Sequence, residues 1–140
     1  MRFIRQQIIS ALTNQVVVNS QTIDVYNRIP SDANYPLIRV YSVSLNESDQ
    51  NQSSFITQGI TRIEAIARYE SDDGGDLDVN LMVDQILTIV RSRPQMFTQG
   101  NDFNIFTSVN NGVKYLIDDL KDRTYYRAII EIQNKVEQLN

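Results

Sequence analysis

The chain has 140 residues, a formal net charge of −4, no cysteine and no histidine. That length suits one domain, residues 1–140, with a single core. The missing residue types exclude disulfides, thiolate metal sites, thiol nucleophiles and every imidazole base or ligand, and an acidic chain without a basic block makes a poor nucleic-acid binder. Polar residues interrupt the opening Met1–Ile9 too early for a signal peptide, and no apolar run approaches membrane-spanning length. The expectation is a soluble protein with no membrane partner and no cofactor.

In chain order, the first helix is expected from about Phe3 to Thr13, where Ile4, Ile8, Ala11 and Leu12 recur at helical spacing. Val16-Val17-Val18 follows, as either a short strand or a plug for the core. Ile23 to Ile29 reads as a strand ended by Pro30, which lacks the amide hydrogen a ladder needs. Ser31-Asp32-Ala33-Asn34 is turn chemistry. Leu37 to Leu45 is the second strand, with Ile38 and Val40 on one face and Tyr41 and Val43 on the other.

Asn46 to Gln58 is polar and reads as a long hairpin connection, either a mobile solvent loop or an arm that orders on a partner. In the third strand, Ile60 to Tyr69, Ile63, Ala65, Ala67 and Tyr69 alternate with Arg62, Glu64 and Arg68. Asp76 is the N-cap candidate for a helix from Leu77 to Arg91. Val79, Met82, Val83, Ile86 and Val90 form its core stripe, Leu77 and Leu81 fall on the opposite side, and Pro94 stops it. Phe103 to Val109 and Val113 to Ile117 read as paired strands around an Asn110-Asn111-Gly112 turn. Thr124 to Val136 is the last strand. The expected class is α+β, a mainly antiparallel sheet packed against two helices.

Few residues suggest chemistry. Asp72, Asp73, Asp76 and Asp78 resemble a cation loop, but the third and sixth positions counted from Asp72 are Gly74 and Leu77, so an EF-hand-type pattern fails and an acidic helix cap is the simpler reading. Asp119-Leu120-Lys121 has the acid-x-lysine form of one nuclease family. With Asp102 as a second acid it gives the alternative of a metal-dependent nuclease, against the simpler reading of a charged turn. Tyr35, Tyr41, Tyr69, Tyr115, Tyr125 and Tyr126 would stack on bases only beside a basic groove. Without one they read as core or interface residues.

Val25-Tyr26-Asn27-Arg28-Ile29-Pro30 and Tyr35-Pro36-Leu37-Ile38, placed between the first helix and the alternating strand Ile60 to Tyr69, carry a resemblance. With the helix Leu77 to Arg91 and the final strand around Arg127 to Ile132, this order resembles the tail terminator, or tail completion, proteins of tailed bacteriophages. The Val113 to Arg123 region looks longer than that family's final hairpin. The resemblance implies a tail-terminator-like fold in a non-enzymatic virion protein, assembled in the host cytoplasm. It also implies a homo-oligomeric ring at the head–tail junction, commonly a hexamer or else a dodecamer. Such a ring ends the tail, contacts neck, portal-adaptor and tail proteins, and passes genomic DNA through its lumen without specific binding. A different head-to-tail connector is the neighbouring alternative. The interface residues nominated on this basis are Arg28, Asn46, Glu47, Asp49, Phe55, Ile56, Leu77 and Leu81.

Overall fold

The computed structural model describes residues 2–48, 55–70, 74–91, 103–120 and 122–138, with side chains placed for 5–44, 58–70, 74–90, 112–120 and 122–134. Helix α1 (Arg2–Leu12) puts Ile8 and Leu12 one turn apart, and both are fully buried. The Thr13 amide and hydroxyl both donate to the Ile9 carbonyl, at 2.9 and 2.6 Å, and the chain leaves the helix through Asn14 at φ 63°. Asparagine tolerates that left-handed conformation better than most residues.

A small hairpin follows, β1 (Val17–Val18) against β2 (Gln21–Thr22). Asn19 and Ser20 between them have φ 52° and 63°, the two consecutive positive values of a type I′ turn. The three valines take both expected roles: Val17 and Val18 form the strand, while Val16 and Val18 are buried in the core. The side-chain amide of Gln85, on the second helix, brackets Val17. It accepts from the Val17 N–H at 2.9 Å and donates to the Val17 carbonyl at 2.8 Å.

Strand β3 is shorter than expected, spanning Asp24–Tyr26, and it runs parallel to β4 (Leu37–Ser48). The strand therefore ends before Arg28 and Pro30. A parallel pair cannot be joined by a tight turn, so residues 27–36 are spent on the return to Leu37. The Tyr35–Pro36 peptide in that return is cis.

The expected Asn46 to Gln58 loop is mostly sheet. β4 continues to Ser48, β5 (Phe55–Glu70) starts at Phe55, and Asn46 pairs with Gln58, Glu47 with Thr57 and Ser48 with Ile56. Backbone ladder bonds form regardless of side-chain alternation, which is why a polar sequence concealed strand here. Near its middle β4 has a one-residue register shift between Ser42 and Ser44.

Helix α2 (Leu77–Arg91) begins after Asp76, whose carbonyl accepts the Asn80 N–H at 2.9 Å. Val79, Met82, Val83, Ile86 and Val90 are all buried. The two strands expected around Asn110-Asn111-Gly112 are one strand, β6 (Phe103–Asp119), paired along its length with β7 (Arg123–Gln138). The register moves from Asn110–Ile132 to Gly112–Glu131, so Asn-Gly makes a bulge instead of a hairpin turn. Gly112, at φ 128°, supplies a conformation that few other residues accept. A second shift lies between Ile105 and Thr107.

The main sheet has the order β3-β4-β5-β7-β6, antiparallel except for β3–β4. The fold is α+β. α1 packs over β3 and β4, and α2 over β5 and β7, on one face of the sheet. Between the layers lie Ile8, Leu12, Ile38, Val40, Ile63, Ala65, Ile86, Ala128 and Ile130, all buried.

Candidate interaction surfaces

Because side chains alternate along a strand, Ile63, Ala65 and Ala67 face the helices while Arg62, Glu64, Ile66 and Arg68 occupy the other face. Glu64 is nonetheless only 1% exposed. Its cover is ionic. Arg127 of β7 donates from Nε to Glu64 Oε1 at 2.6 Å and from Nη2 to the same oxygen, while its Nη1 reaches Asp118 Oδ2 of β6 at 3.0 Å. Partial burial of Arg127 works against its charge. The hydrogen bonds to Asp118 and Glu64 outweigh that, so its pKa stands above the ordinary arginine value.

A second pair, Arg62 Nε to Glu131 Oε1 at 3.2 Å, crosses the same two strands. The Glu131 bond and then one with Tyr41 raise the Arg62 pKa. Arg39 sits 4.5 Å from the Tyr41 ring centroid and Arg68 4.4 Å from that of Tyr35, whose ring meets Tyr125 edge-on at 5.8 Å. Arg39, Arg62, Arg68 and Arg127 are thus held by carboxylates or aromatic rings, not arrayed to neutralise phosphates.

Where β5, β7 and β6 end together, a groove of about 590 Å³ opens on the sheet. Ile66 is buried among its walls, Tyr35 and Tyr125 also line it, and Asp118, Asp119 and Leu120 come from the turn side. The Leu120 N–H donates to the Arg123 carbonyl at 2.8 Å, and the Thr124 hydroxyl donates to Asp119 Oδ1 at 3.0 Å. These bonds hold the acidic rim in place. The groove therefore joins an apolar and aromatic floor to a rim that carries both carboxylates and the Arg127 guanidinium.

Apolar side chains also stand in solvent. Tyr115, Leu116 and Ile117 of β6 are exposed in sequence, Ile117 by 64% and Leu120 just beyond them by 57%. On α2, Leu77 is 66% exposed and Leu81 also exposed.

The nominated residues are scattered over this framework. Leu77 and Leu81 lie one turn apart on the outer side of α2. Arg28 is exposed in the connection from β3 to β4, and makes no ion pair among the described residues. Asn46, Glu47, Phe55 and Ile56 belong to paired strands, contrary to the loop reading. Asp49 lies outside the described residues, as do Asp72, Asp73, Asp102 and Lys121. Asp119, the remaining member of the nuclease alternative, sits on the groove rim. Among the described residues, no three acidic side chains gather as metal ligands would.

Sequence reasoning missed the groove and the apolar run on β6. The run Tyr115-Leu116-Ile117 was the available signal, since apolar residues on both faces of an edge strand leave some of them uncovered. A scan against protein-family models finds no match, and a search of curated proteins finds none either.

Proposed function

We propose that this chain is a structural subunit that assembles with copies of itself into a ring at the head–tail junction of a bacteriophage, ending the tail and joining it to the neck. The observation that carries this reading is the apolar surface left outside the core, above all Tyr115, Leu116, Ile117 and Leu120 at one edge of the sheet. Scattered apolar residues are ordinary on a protein surface, but a consecutive run along an edge strand marks an interaction site or an aggregation hazard. The element order supports the resemblance: a helix, a short strand that ends at Tyr26, a return through Tyr35-Pro36, a long antiparallel hairpin, a second helix and a final hairpin. A chain with no histidine or cysteine and a net charge of −4 suits a lumen that lets DNA pass without gripping it.

The test is electron microscopy of the purified protein, alone and mixed with tail-tube and portal-adaptor proteins of a tailed phage. Rings with an open centre that cap tubes are the expected result. Particles that stay single in every mixture would refute the proposal.

A further inference from the structure

We propose that two copies of this chain pair their β6 strands edge to edge, antiparallel and centred on Leu116, so that one sheet runs through both molecules. The inference goes beyond the ring reading by naming the pair from which a larger assembly is built.

The shape of the exposed surface calls for a strand. β6 ends the five-stranded sheet, and among the described residues no strand lies beyond it. Its register with β7 is unbroken from Gly112 to Asp119. On such an edge every second residue turns its N–H and C=O away from the sheet. The apolar side chains stand on both faces. Leu116 lies opposite Arg127 on the face without helices, while Tyr115 and Ile117 lie opposite Ala128 and Tyr126 on the helix face. All three are exposed. A partner docked on one face would leave the other uncovered. A strand laid along the edge covers both faces and satisfies the outward backbone groups in the same step.

Charge and length select which strand. Lys114 is exposed and makes no ion pair among the described residues. Asp118 gives Oδ2 to Arg127, yet its side chain is still 46% exposed. Residues directly opposite in an antiparallel pair share a face. The register centred on Leu116 therefore sets Lys114 of each copy against Asp118 of the other, and Tyr115 against Ile117. Moving the centre to Tyr115 or Ile117 puts Lys114 against Leu116 or Leu120 and loses both ion pairs. An in-register parallel pairing sets lysine on lysine and aspartate on aspartate. Asp119 is on the opposite face from this ion pair, against Val113 at the end of the joint. The other sheet edge, β3, has only 3 residues and is too short to cover the exposed run.

A strand cannot lie beside itself within one molecule, so this contact is intermolecular by construction. It is also isologous: it joins two copies and stops. A ring made from such pairs closes through a second contact and holds an even number of copies.

The experiment uses the full chain and three variants, Lys114→Asp, Asp118→Lys and Leu116→Asp. Sedimentation velocity over a concentration series reads association, and circular dichroism confirms folding. Each variant alone is expected to associate roughly tenfold or more weakly than the parent, because like charges then oppose each other across the joint. A 1:1 mixture of Lys114→Asp with Asp118→Lys is expected to recover association, since the aspartates of one copy then face the lysines of the other at both places. Leu116→Asp keeps the Arg127–Asp118 pair and reads the joint independently if Asp118→Lys loses its fold. Variants that associate like the parent, or a mixture no tighter than its components, would overturn the joint. Rings that survive Leu116→Asp would leave the ring reading standing without it, and parent dimers that never form rings would do the reverse. A parent that remains monomeric at every concentration overturns both.

Discussion

Glu64 and Arg127 form a buried ion pair on the face of the sheet that carries no helix. The carboxylate is 1% exposed and the guanidinium side chain 31% exposed, with two of its nitrogens on a single carboxylate oxygen. Glu64 and Ile66 alternate on β5, and Ile66 pairs with Arg127 in register, so the two charged groups meet diagonally across neighbouring strands.

Replacing Arg127 with methionine should destabilise the fold by about 3 kcal/mol, since it leaves a carboxylate in a site built for its counter-ion. Partial exposure of Arg127 keeps the figure at the lower end of the usual range. The double change Arg127→Met, Glu64→Gln should recover part of that loss. Urea denaturation of the three proteins measures both effects, and equal stability of the parent and the single variant would show that the pair contributes nothing.

Gly74 lies against the Tyr69 ring. A Cβ there would overlap the ring, and the backbone is at φ 92°. Tyr69 is itself fixed, donating to Asp78 Oδ2 at 2.9 Å and meeting the Tyr126 ring edge-on at 5.7 Å. Gly74→Ala is therefore expected to cost about 2 kcal/mol or more, combining backbone strain with displacement of the ring. Gly75→Ala, where nothing lies within 4 Å of the added carbon, should stay within about 0.5 kcal/mol of the parent. Thermal melts of the pair decide the point.

Thr61 is fully buried, and its hydroxyl has no hydrogen-bond partner among the described residues. Valine has nearly the same shape without the polar atom. Thr61→Val should stabilise the protein by about 1 kcal/mol, read as a higher denaturation midpoint at unchanged slope. A destabilised variant would mean that the hydroxyl is satisfied in solution.

Leu77 and Leu81 stand outside the core, so changing both to Asp should leave the melting temperature within a few degrees of the parent. If α2 contributes to assembly, light scattering should register a smaller particle. An unchanged assembled mass removes α2 from the interface.

The helices and the middle of the sheet were legible because their apolar residues keep strict periods. Ile8 and Leu12, the stripe from Val79 to Val90, and the alternation through Ile63, Ala65 and Ala67 each reflect a face pressed on one core. Legibility failed where the backbone decides and the side chains do not. Asn46 and Glu47 lie in strand because their amides find partners, although their polarity suggested a loop. Asn110-Asn111-Gly112 carries a hairpin's residues but lies opposite an unbroken β7, so the positive φ of Gly112 is used for a bulge. The parallel setting of β3 was hidden because three residues leave no pattern. The groove was hidden for a different reason: Tyr35, Ile66, Asp118 and Tyr125 are far apart in the chain, and only the strand order brings them together.

The bracket that Gln85 places around Val17 ties the beginning of the chain to its middle. A side chain there plays the part of a neighbouring strand, satisfying both the amide and the carbonyl of one residue. The hairpin cannot lift away without stripping α2 of this anchor, so the two should open as one cooperative unit, and the Val17 amide proton should trade with deuterium at the pace of the helix rather than that of a loose surface ribbon.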